Sequence, residues 1–561
     1  MSGVESRLEL RAAGSPPFHR RPGGLSTTAI VVAAMIALPV VVVLLNIFVP
    51  GEGTWRHLAA TVLPGYVFNS LALMLGVAFG VMVGGITTAW LTTMCRFPGR
   101  RVFEWALLLP MAMPAYVMAY AYTDLLQFAG PVQSWLREAM AWGPRDYWFP
   151  DVRSLGGAMV MLSLVLYPYV YLLSRAAFLE QSDSMLEMAR VSGYGPWGTF
   201  LHVALPLARP GIVAGTALAL METLADFGTV AYFGVPTFTT GIYHAWFSLG
   251  DHVAAAQLSA TLLGFVFVVL LIERVTRAGA GFHTTSYRKR LRNVYHLRGF
   301  RAIIAVAFCA APLLFGFFLP AGVLLHMALT SGDAQFGARY IELTFNTVTL
   351  AAVTAALAVM LALLVGYAAR SSTSRAVRIA NRVAGLGYAV PGAVIAVGVL
   401  IPVTRLDHVL AGWIEAMSGV TPGLILTGSI AALVYAYLVR FFAVALQSAE
   451  AGLTKITTSM DYAARSLGLG PAATLARVHV PLLWRSALTA GLLVFVDVMK
   501  ELPATFVMRP FNFDTLAVQA FNLASDERLA EASTAALTIV AVGLLPLIIL
   551  SRMMLRPRRG T

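Results

Sequence analysis

Twelve long apolar stretches constrain what this chain can fold into more than any other feature of its sequence. A helix needs about 20 predominantly apolar residues to cross a hydrocarbon core about 30 Å thick. Apolar residues make up 58% of the 561 residues and charged residues only 12%, which excludes an ordinary soluble protein. We therefore predict an all-α polytopic membrane protein with about twelve transmembrane helices. The stretches lie at 27–50, 66–94, 102–128, 155–179, 209–232, 254–273, 302–328, 342–369, 383–404, 423–447, 486–508 and 533–551.

Lysine and arginine are distributed unevenly between the segments that join these stretches. With a cytoplasmic N-terminus, 30 of the 40 Lys and Arg residues lie in inside segments and 8 in outside loops. Since cytoplasmic loops carry the excess of these residues, both termini are predicted to be cytoplasmic. The same bias accounts for the net charge of +13, so no nucleic-acid partner is expected. The first stretch follows arginines, as a signal peptide does, but it is too long and has no A-x-A cleavage pattern, so we expect it to be retained.

Residue pairs at a nearly constant offset indicate that the chain is a tandem repeat. Several independent matches at 275 or 277 residues are hard to obtain by chance. Each half has six stretches, so both halves enter the membrane from the same side, and a pseudo-twofold axis along the membrane normal relates them. The matched pairs are Asn69 and Asn346, Pro114 and Pro391, Gly193 and Gly468, Pro206 and Pro481, and Asp251 and Asp526. The predicted organisation is a cytoplasmic tail at 1–26, a first six-helix half at 27–273, a basic cytoplasmic linker at 274–301, a second six-helix half at 302–552 and a cytoplasmic tail at 553–561.

The cytoplasmic loop between the fourth and fifth stretches has a counterpart between the tenth and eleventh. Nine residues separate Gly193 from the closing segment 203–206, and nine separate Gly468 from 478–481. The pattern predicts a helix that ends at a left-handed glycine, a short helix that starts near the following proline, and a second proline that stops it. Two such loops at matched depth indicate a rigid docking element on the cytoplasmic side of each half.

These loops resemble the E-A-A-x3-G-x9-I-x-L-P signature of permease subunits of binding-protein-dependent ABC importers. In that family the loop forms a coupling helix that sits in a cleft of the ATPase subunit. The resemblance implies a type I ABC importer permease fold in the inner membrane of a bacterium. Met188 replaces an alanine of the signature, and Tyr462 occupies the glutamate position, with Asp461 one residue earlier. The residues that the resemblance assigns to coupling are Glu187, Ala189, Gly193, Gly195, Pro206, Ala463, Ala464, Gly468, Gly470 and Pro481.

The ATPase is expected to be a separate subunit, because a Walker A loop needs Gly-Lys followed by Ser or Thr. None of the three lysines, Lys289, Lys455 and Lys500, follows a glycine. The resemblance therefore implies two copies of an ABC ATPase, which bind ATP and Mg²⁺, and no cofactor in this chain. The chain itself is expected to be a transport permease rather than an enzyme.

A finer resemblance, to fused ferric-iron uptake permeases, covers nearly the whole chain. It is carried by segments 221–229 and 238–243 in the first half and by 500–505 and 509–516 in the second. It implies alternating-access import of Fe³⁺ delivered by a periplasmic binding protein. Related permeases carry thiamine, phosphonates, polyamines or sulfate. The resemblance therefore favours ferric iron as the substrate and keeps these others as alternatives.

Two outside loops, 233–253 and 509–532, correspond at the repeat offset. We predict that they form a two-sided platform for the two lobes of the binding protein. Arginines in the second loop are candidate partners for acidic residues on that protein. The residues predicted to dock are Phe238, Thr240, Asp251, Arg509, Phe513, Thr515, Asp526 and Arg528.

Four acidic residues lie within the fifth and eleventh stretches, where each charge costs roughly 2.5–3.5 kcal/mol on insertion scales. Glu222 and Asp226 are spaced i, i+4, as are Asp497 and Glu501, and the pairs match at an offset of 275. Symmetry predicts that the two acidic stripes face each other across one central cavity and form the substrate pathway. Carboxylates are hard ligands that suit Fe³⁺ held transiently, and a cationic organic substrate would fit too. Alternatively the acids are structural, with Lys500 neutralising one of them.

Other features favour packing roles. Tyr167, Tyr169 and Tyr171 in the fourth stretch either line a cavity or, as is commoner, pack or anchor at the interface. The glycine-rich segment 76–85 indicates close helix packing rather than phosphate binding. The histidines show no spacing typical of metal ligands.

Two other classes of function are alternatives to an ABC importer. Tandem repeats also occur in secondary transporters driven by an ion gradient, but the paired coupling loops favour an ABC importer. The acids could also be the metal ligands of a membrane-embedded enzyme, but the sequence lacks the paired His and Asp motifs of such a site. Within ABC importers, thiamine, a polyamine or a phosphonate is the alternative to ferric iron.

Overall fold

The structure is a computed structural model that describes residues 24–50, 54–181, 183–278, 295–330 and 337–555. Most of the predicted tails and of the predicted linker at 274–301 lies outside the described residues. Within them, eleven helices are long and apolar enough to cross a membrane, and a bent helix pair brings the number to twelve. This confirms the predicted all-α fold with about twelve spans.

The described residues form thirteen α-helices in the first half and twelve in the second. In the first half the α-helices are α1 (Gly24–Leu45), α2 (Thr54–Thr61), α3 (Leu63–Met94), α4 (Arg100–Ala106), α5 (Ala115–Leu126), α6 (Pro131–Met140), α7 (Leu155–Glu180), α8 (Asp183–Val191), α9 (Pro196–Thr199), α10 (Leu205–Ala225), α11 (Gly228–Tyr232), α12 (Phe238–Tyr243) and α13 (His252–Ala278). In the second half they are α14 (Phe300–Leu313), α15 (Leu319–Thr330), α16 (Ala338–Ser371), α17 (Arg375–Ala384), α18 (Gly392–Ser418), α19 (Ile430–Leu453), α20 (Thr458–Ser466), α21 (Pro471–Thr474), α22 (Val480–Met499), α23 (Pro503–Met508), α24 (Leu516–Ser525) and α25 (Leu529–Leu555).

Shorter elements complete the chain. Two-residue strands, β1 (Cys95–Arg96) and β2 (Tyr295–His296), pair in parallel and join the end of α3 to the segment before α14. The 3₁₀ segments are Asn46–Phe48, Leu109–Ala112 and Gly387–Ala389, and the π-helical segments are Phe200–Ala204, His244–Ser248, Leu314–Phe318 and Leu475–His479.

Prolines break the third and ninth spans, which were predicted as continuous stretches. The predicted span 102–128 is two helical segments that meet at an angle of 89° just before α5. In the second half the predicted span 383–404 is also wrong, because the long helix α18 starts only after Pro391. Pro114 and Pro391 both have extended backbone, with ψ of 141° and 143°. Each lacks an N–H and disfavours a helical residue before it, so the helix restarts after the proline.

The fifth and eleventh spans are broken as well, and these breaks position the candidate site. The predicted spans 209–232 and 486–508 are each a long helix followed by a short one. Helix α10 ends at Ala225 and α11 follows, whereas α22 ends at Met499 and α23 follows. The chain therefore turns near the end of each long helix, where apolar periodicity alone suggested one helix.

Each half has a core of three long helices that pack against one another: α3, α7 and α10 in the first half, and α16, α19 and α22 in the second. Glycines on α3 permit the close approach of α7. A Cβ at Gly76 would lie 2.4 Å from Met159 Sδ, and one at Gly80 would lie 2.3 Å from Ser163 Oγ. This confirms the packing interpretation of segment 76–85, since small residues let membrane helices approach closely.

The first span of each half packs against the other half. Helix α1 contacts α16, α17 and α18, and a Cβ at Gly398 would lie 2.4 Å from the Pro39 carbonyl oxygen. In the opposite direction, α14 contacts α3 and α15 contacts α5, and Tyr122 Oη donates to the Phe315 carbonyl at 2.6 Å. The halves are therefore consecutive in sequence but interleaved in space.

Candidate functional site

A cavity of about 130 Å³ lies between the two halves. The ends of α10 and α22 line it, together with residues of α5, α7 and α19. Six charged side chains face this one volume. They are Glu222, Asp226, Arg440, Asp497, Lys500 and Glu501. The structure therefore places all four acids at one cavity, as symmetry predicted. It also places two cations there, which symmetry did not predict.

Glu222 and Asp497 occupy equivalent places on the last turn of α10 and α22. Their side chains are 24% and 20% exposed, so both reach the space between the halves. Asp497 Oδ1 lies 2.9 Å from Lys500 Nζ. Glu222 Oε2 lies 3.9 Å from Arg440 Nη2 on the opposite half. Both carboxylates therefore line the cavity.

Asp226 and Glu501 are positioned differently, because each follows the end of its long helix. The expectation that they continue the helical i, i+4 face is wrong, since α10 ends at Ala225 and α22 at Met499. Each carboxylate accepts hydrogen bonds from the amides that start the next short helix. Asp226 Oδ1 accepts from Thr229 N at 3.1 Å and Glu501 Oε2 from Thr505 N at 3.0 Å. Both therefore stabilise the break, as carboxylates do at helix N-termini.

Arg440 is the residue of this site that sequence analysis left without a role. It is 92% buried on α19, and its Nη1 donates to Glu501 Oε1 at 3.1 Å. Its Nε is buried and has no hydrogen-bond acceptor among the described residues. The available signal was its position within an apolar span, because intramembrane charges usually mark functional sites.

The cavity does not form a resident metal site in the described part of the chain. No group of three or more His, Cys, Asp or Glu side chains is arranged there to hold a metal ion. The transient Fe³⁺ ligands predicted from sequence, Glu222, Asp226, Asp497 and Glu501, instead have amide or cationic partners. A cargo cation would have to exchange with those partners.

The tyrosines of the fourth span divide between the two predicted roles. Tyr169 lines the cavity, as does Tyr388 from the second half. Tyr167 and Tyr171 are buried and donate to the carbonyls of Leu107 at 2.8 Å and Glu104 at 2.9 Å. Packing thus accounts for two of the three residues.

Aromatic side chains from both halves meet beyond the ends of α10 and α22. The rings of Phe227 and Tyr243 stack with centroids 3.7 Å apart, and Phe506 lies 5.8 Å from each. Phe521 packs against Phe506 at 5.5 Å, and Tyr243 Oη donates to the Pro503 carbonyl. This cluster is an apolar contact between the halves at the end of the cavity remote from the 183–206 loop.

The two predicted coupling loops have nearly the same backbone. Gly193 and Gly468 have φ of 84° and 81°, which confirms the predicted left-handed helix ends. Tyr194 N donates to Ala189 O at 3.0 Å, and Leu469 N donates to Ala464 O at 3.0 Å, the bond that closes a Schellman motif. Backbone stereochemistry therefore imposes the same turn on both loops.

The closing prolines do not stop the short helices, which corrects that prediction. Pro206 and Pro481 lie in the first turn of α10 and α22. A π-helical turn joins each short helix to the span that follows, so the chain remains helical through both prolines. Local π-helical adjustments of this kind accommodate a proline inside a membrane helix, where its missing N–H would otherwise leave a carbonyl unpaired.

The second loop has an anchor of charged residues. His479 Nε2 lies 2.6 Å from Asp461 Oδ1, and Arg370 Nη2 lies 3.0 Å from Asp461 Oδ2. Burial opposes ionisation of Asp461, but hydrogen bonds from His479 and Arg370 outweigh it and hold its pKa below the usual value. Asp461 therefore faces inward, whereas Tyr462 at the glutamate position of the signature is exposed.

Comparison with known proteins identifies the family. Residues 76–278 match the model of the binding-protein-dependent transport system inner membrane component. Over 227 residues the chain is 31% identical to the molybdenum transport system permease protein ModB of Escherichia coli, covering 38% of this chain and 92% of that protein. The chain belongs to this family of inner-membrane permeases.

Two longer relatives match both halves of the permease. The Fe(3+)-transport system permease protein FbpB 2 of Haemophilus influenzae is 24% identical over 544 residues, which covers 95% of this chain and 99% of that protein. The ferric transport system permease protein FbpB of Actinobacillus pleuropneumoniae is 22% identical over 507 residues, covering 86% and 71%. The permease is thus a fused, multi-pass inner-membrane component of an ABC importer, not itself catalytic, and it works with an ATPase and a binding protein.

The structure divides the residues predicted to dock the binding protein. Phe238 and Thr515 are only 1% and 3% exposed, so the permease offers no surface at these two positions and their predicted docking role is wrong. Thr240 accepts from Thr237 N at 2.9 Å, and Asp251 caps α13 through Ala254 N at 2.8 Å.

The remaining docking candidates lie at or near the surface. Asp526 and Arg528 are exposed, whereas Arg509 and Phe513 are partly buried. Arg509 pairs with Asp514, and Arg528 pairs with Glu531. A docking partner would therefore compete with carboxylates of the permease itself.

Proposed function

We propose that this permease carries ferric iron from a periplasmic binding protein into the cytoplasm by alternating access. The observation that carries the proposal is the pair Glu222 and Asp497, which reach one cavity from opposite halves. Four carboxylates face two cations there, so the cavity has a net negative formal charge. The ferric permeases that match the fused length support the same cargo.

The rest of the assembly is proposed on the same basis. Both termini are cytoplasmic, and the sequence halves 27–273 and 302–552 rock against each other. Two ATPase copies engage the two coupling loops through the residues assigned above. The cytoplasmic loops expose apolar side chains that suit such a partner, including Val191, Trp197 and Leu467.

Uptake by proteoliposomes tests the proposal. The permease, its ATPase and its binding protein are reconstituted, and uptake of radiolabelled iron is followed with ATP and with excess thiamine, spermidine or molybdate. We expect ATP-dependent iron uptake that none of the three competitors reduces. Uptake without any ATPase would instead favour an ion-coupled transporter.

A matched pair of variants links uptake to the cavity. Glu222→Gln with Asp497→Asn keeps size and polarity but removes two charges, and iron uptake should fall by roughly tenfold or more while basal ATP hydrolysis persists. Glu415→Gln removes an exposed carboxylate outside the cavity and should leave uptake unchanged. Normal uptake by the double variant would return Glu222 and Asp497 to a structural role.

One observation favours a second candidate, an oxyanion. Arg440 and Lys500 line the cavity, and cations of this kind bind tetrahedral oxyanions well. The match to a molybdenum permease points the same way. In that case molybdate or sulfate uptake would be abolished by Arg440→Gln and would survive the double carboxylate variant.

A further inference from the structure

Both cations of the cavity come from the second half. Helices α7 and α19 align at an offset of 275 residues, since Ser154 and Ser429 cap them. At this offset Arg440 corresponds to Val165, and Lys500 corresponds to Ala225. The acids are duplicated between the halves, but the charges that neutralise them are not.

Arg440 bridges the two halves. Its Nη1 lies 3.1 Å from Glu501 Oε1 in its own half, and its Nη2 lies 3.9 Å from Glu222 Oε2 in the other. The longer contact and the unpartnered Nε show that its hydrogen-bonding capacity is only partly used. Lys500 makes the corresponding short contact with Asp497, at 2.9 Å.

The fold leaves room for the guanidinium at a glycine. A Cβ at Gly392 would lie 2.4 Å from Arg440 Nη1 and 2.8 Å from Glu501 Oε1. The corresponding residue of the first half, after Pro114, is Ala115, and among the described residues of that half no arginine lines the cavity. The glycine and the arginine thus occur together in the half that carries the cation.

We propose that Arg440 and Lys500 are tethered counter-ions that neutralise Glu222, Glu501 and Asp497 in the empty cavity and are displaced by the cargo cation. This rests on the proposed function, because it takes the cargo to be a hard, multiply charged cation. A cation must outcompete two built-in charges to bind, so weakly charged ions are rejected. The same charges return when the cargo leaves, which keeps its affinity low enough for release.

Binding of Tb³⁺ to the purified permease–ATPase complex, without binding protein, tests the proposal. Tb³⁺ is a hard trivalent cation whose luminescence is sensitised by nearby tyrosines such as Tyr169 and Tyr388. Arg440→Gln with Lys500→Gln should tighten Tb³⁺ binding by about tenfold or more. The carboxylates would then no longer be neutralised by these two cations, with which they interact strongly at this distance in a partly buried site. Arg440→Lys should bind Tb³⁺ as the wild type does. Adding Glu222→Gln to the double variant should reverse most of the gain.

Two controls keep the result interpretable. Arg485→Gln, on an exposed part of α22, removes one positive charge outside the cavity, as Lys500→Gln alone does inside it, and should not alter Tb³⁺ affinity. If Arg440→Gln does not assemble with the ATPase, Lys500→Gln alone carries the test, since its side chain is 33% exposed. Unchanged Tb³⁺ affinity in an assembled variant, or equal tightening by Arg485→Gln, would overturn the counter-ion role.

The outcome is separable from that of the proposed function. Iron uptake by the wild type reports the cargo, whereas Tb³⁺ affinity reports only whether the cations compete for the carboxylates. Absence of iron uptake together with tighter Tb³⁺ binding would reject ferric iron as cargo and support the counter-ions. Iron uptake by the wild type together with unchanged Tb³⁺ affinity in the variants would support ferric iron as cargo and reject the counter-ion role.

Discussion

The two halves of the permease can be compared at equivalent positions on both sides of the membrane. The left-handed glycines of the two predicted coupling loops differ by only a few degrees, at φ of 84° and 81°. Asp226 and Glu501 both cap the short helix after a broken span. The charges differ, because Arg440 and Asp461 of the second half correspond to the apolar Val165 and Leu186 of the first.

This difference separates two kinds of constraint. A turn or a cap is needed wherever the backbone breaks, so each half requires its own copy. A cation that faces a shared cavity serves both halves from one of them. The fused chain therefore keeps the backbone geometry and the cavity acids in both halves, whereas the cavity cations occur in the second half only. The following variants probe that distinction.

The largest effect is expected where a capping carboxylate is also an ion-pair partner. Glu501→Gln leaves Arg440 without its closest partner and should cost about 3–5 kcal/mol of unfolding free energy. Asp226→Asn at the equivalent position still accepts amide hydrogen bonds and should cost about 1 kcal/mol. Thermal and detergent denaturation of the purified permease would measure both. Equal losses would show that the caps, rather than Arg440, dominate.

Valine at the coupling-loop glycines tests the duplicated backbone. Gly193→Val and Gly468→Val each force a β-branched residue into positive φ, at about 1–2 kcal/mol or more. Substrate-stimulated ATP hydrolysis should fall roughly five- to thirtyfold in each variant while the permease still inserts. Gly264→Val in α13, where a Cβ meets open space, should retain stimulation. Stimulation that survives both substitutions together would remove the coupling assignment.

The charged anchor of the second loop should contribute about 1–3 kcal/mol, the cost of leaving buried polar groups unpaired. Asp461→Asn should lower the melting temperature, whereas Arg465→Gln on the exposed side of α20 should not. The pKa of Asp461 is lowered in the folded state, so its stabilisation is present above the unfolded value of 3.8 and is lost as pH falls through the folded pKa. The gap between wild type and Asp461→Asn should therefore persist at pH values above 3.8 and shrink as pH falls below it. A gap that changes little in acid would mean that the carboxylate is not the anchor.

The smallest effect is expected at the outer surface. Arg509→Glu with Arg528→Glu should weaken association with the binding protein by about 0.2–1 kcal/mol per pair, and more at low salt. Both arginines already have carboxylate partners in the permease, which limits the gain from docking. Arg145→Glu, at an exposed position of another loop that is predicted to lie outside, is the control. Unchanged affinity at low salt would place the docking surface elsewhere.

Local sequence properties determined much of this protein. Apolar length predicted the number of spans but not the breaks within four of them. The repeat offset predicted two halves, and the glycine spacing predicted the left-handed turns at Gly193 and Gly468. The repeat symmetry also predicted that Glu222 and Asp497 face one cavity, as they do in the structure. These properties are readable because hydropathy and backbone stereochemistry depend on a residue and its immediate neighbours.

Only the tertiary structure decided how these elements combine. The breaks after Ala225 and Met499 depend on carboxylates that find amide donors in the next helix, which apolar periodicity does not reveal. The interleaving of α1 with the second half, and the contact of Arg440 with Glu222, join residues far apart in the chain. Such contacts depend on how whole helices pack, because the cost of a buried charge is settled by whichever partner the packing brings within reach.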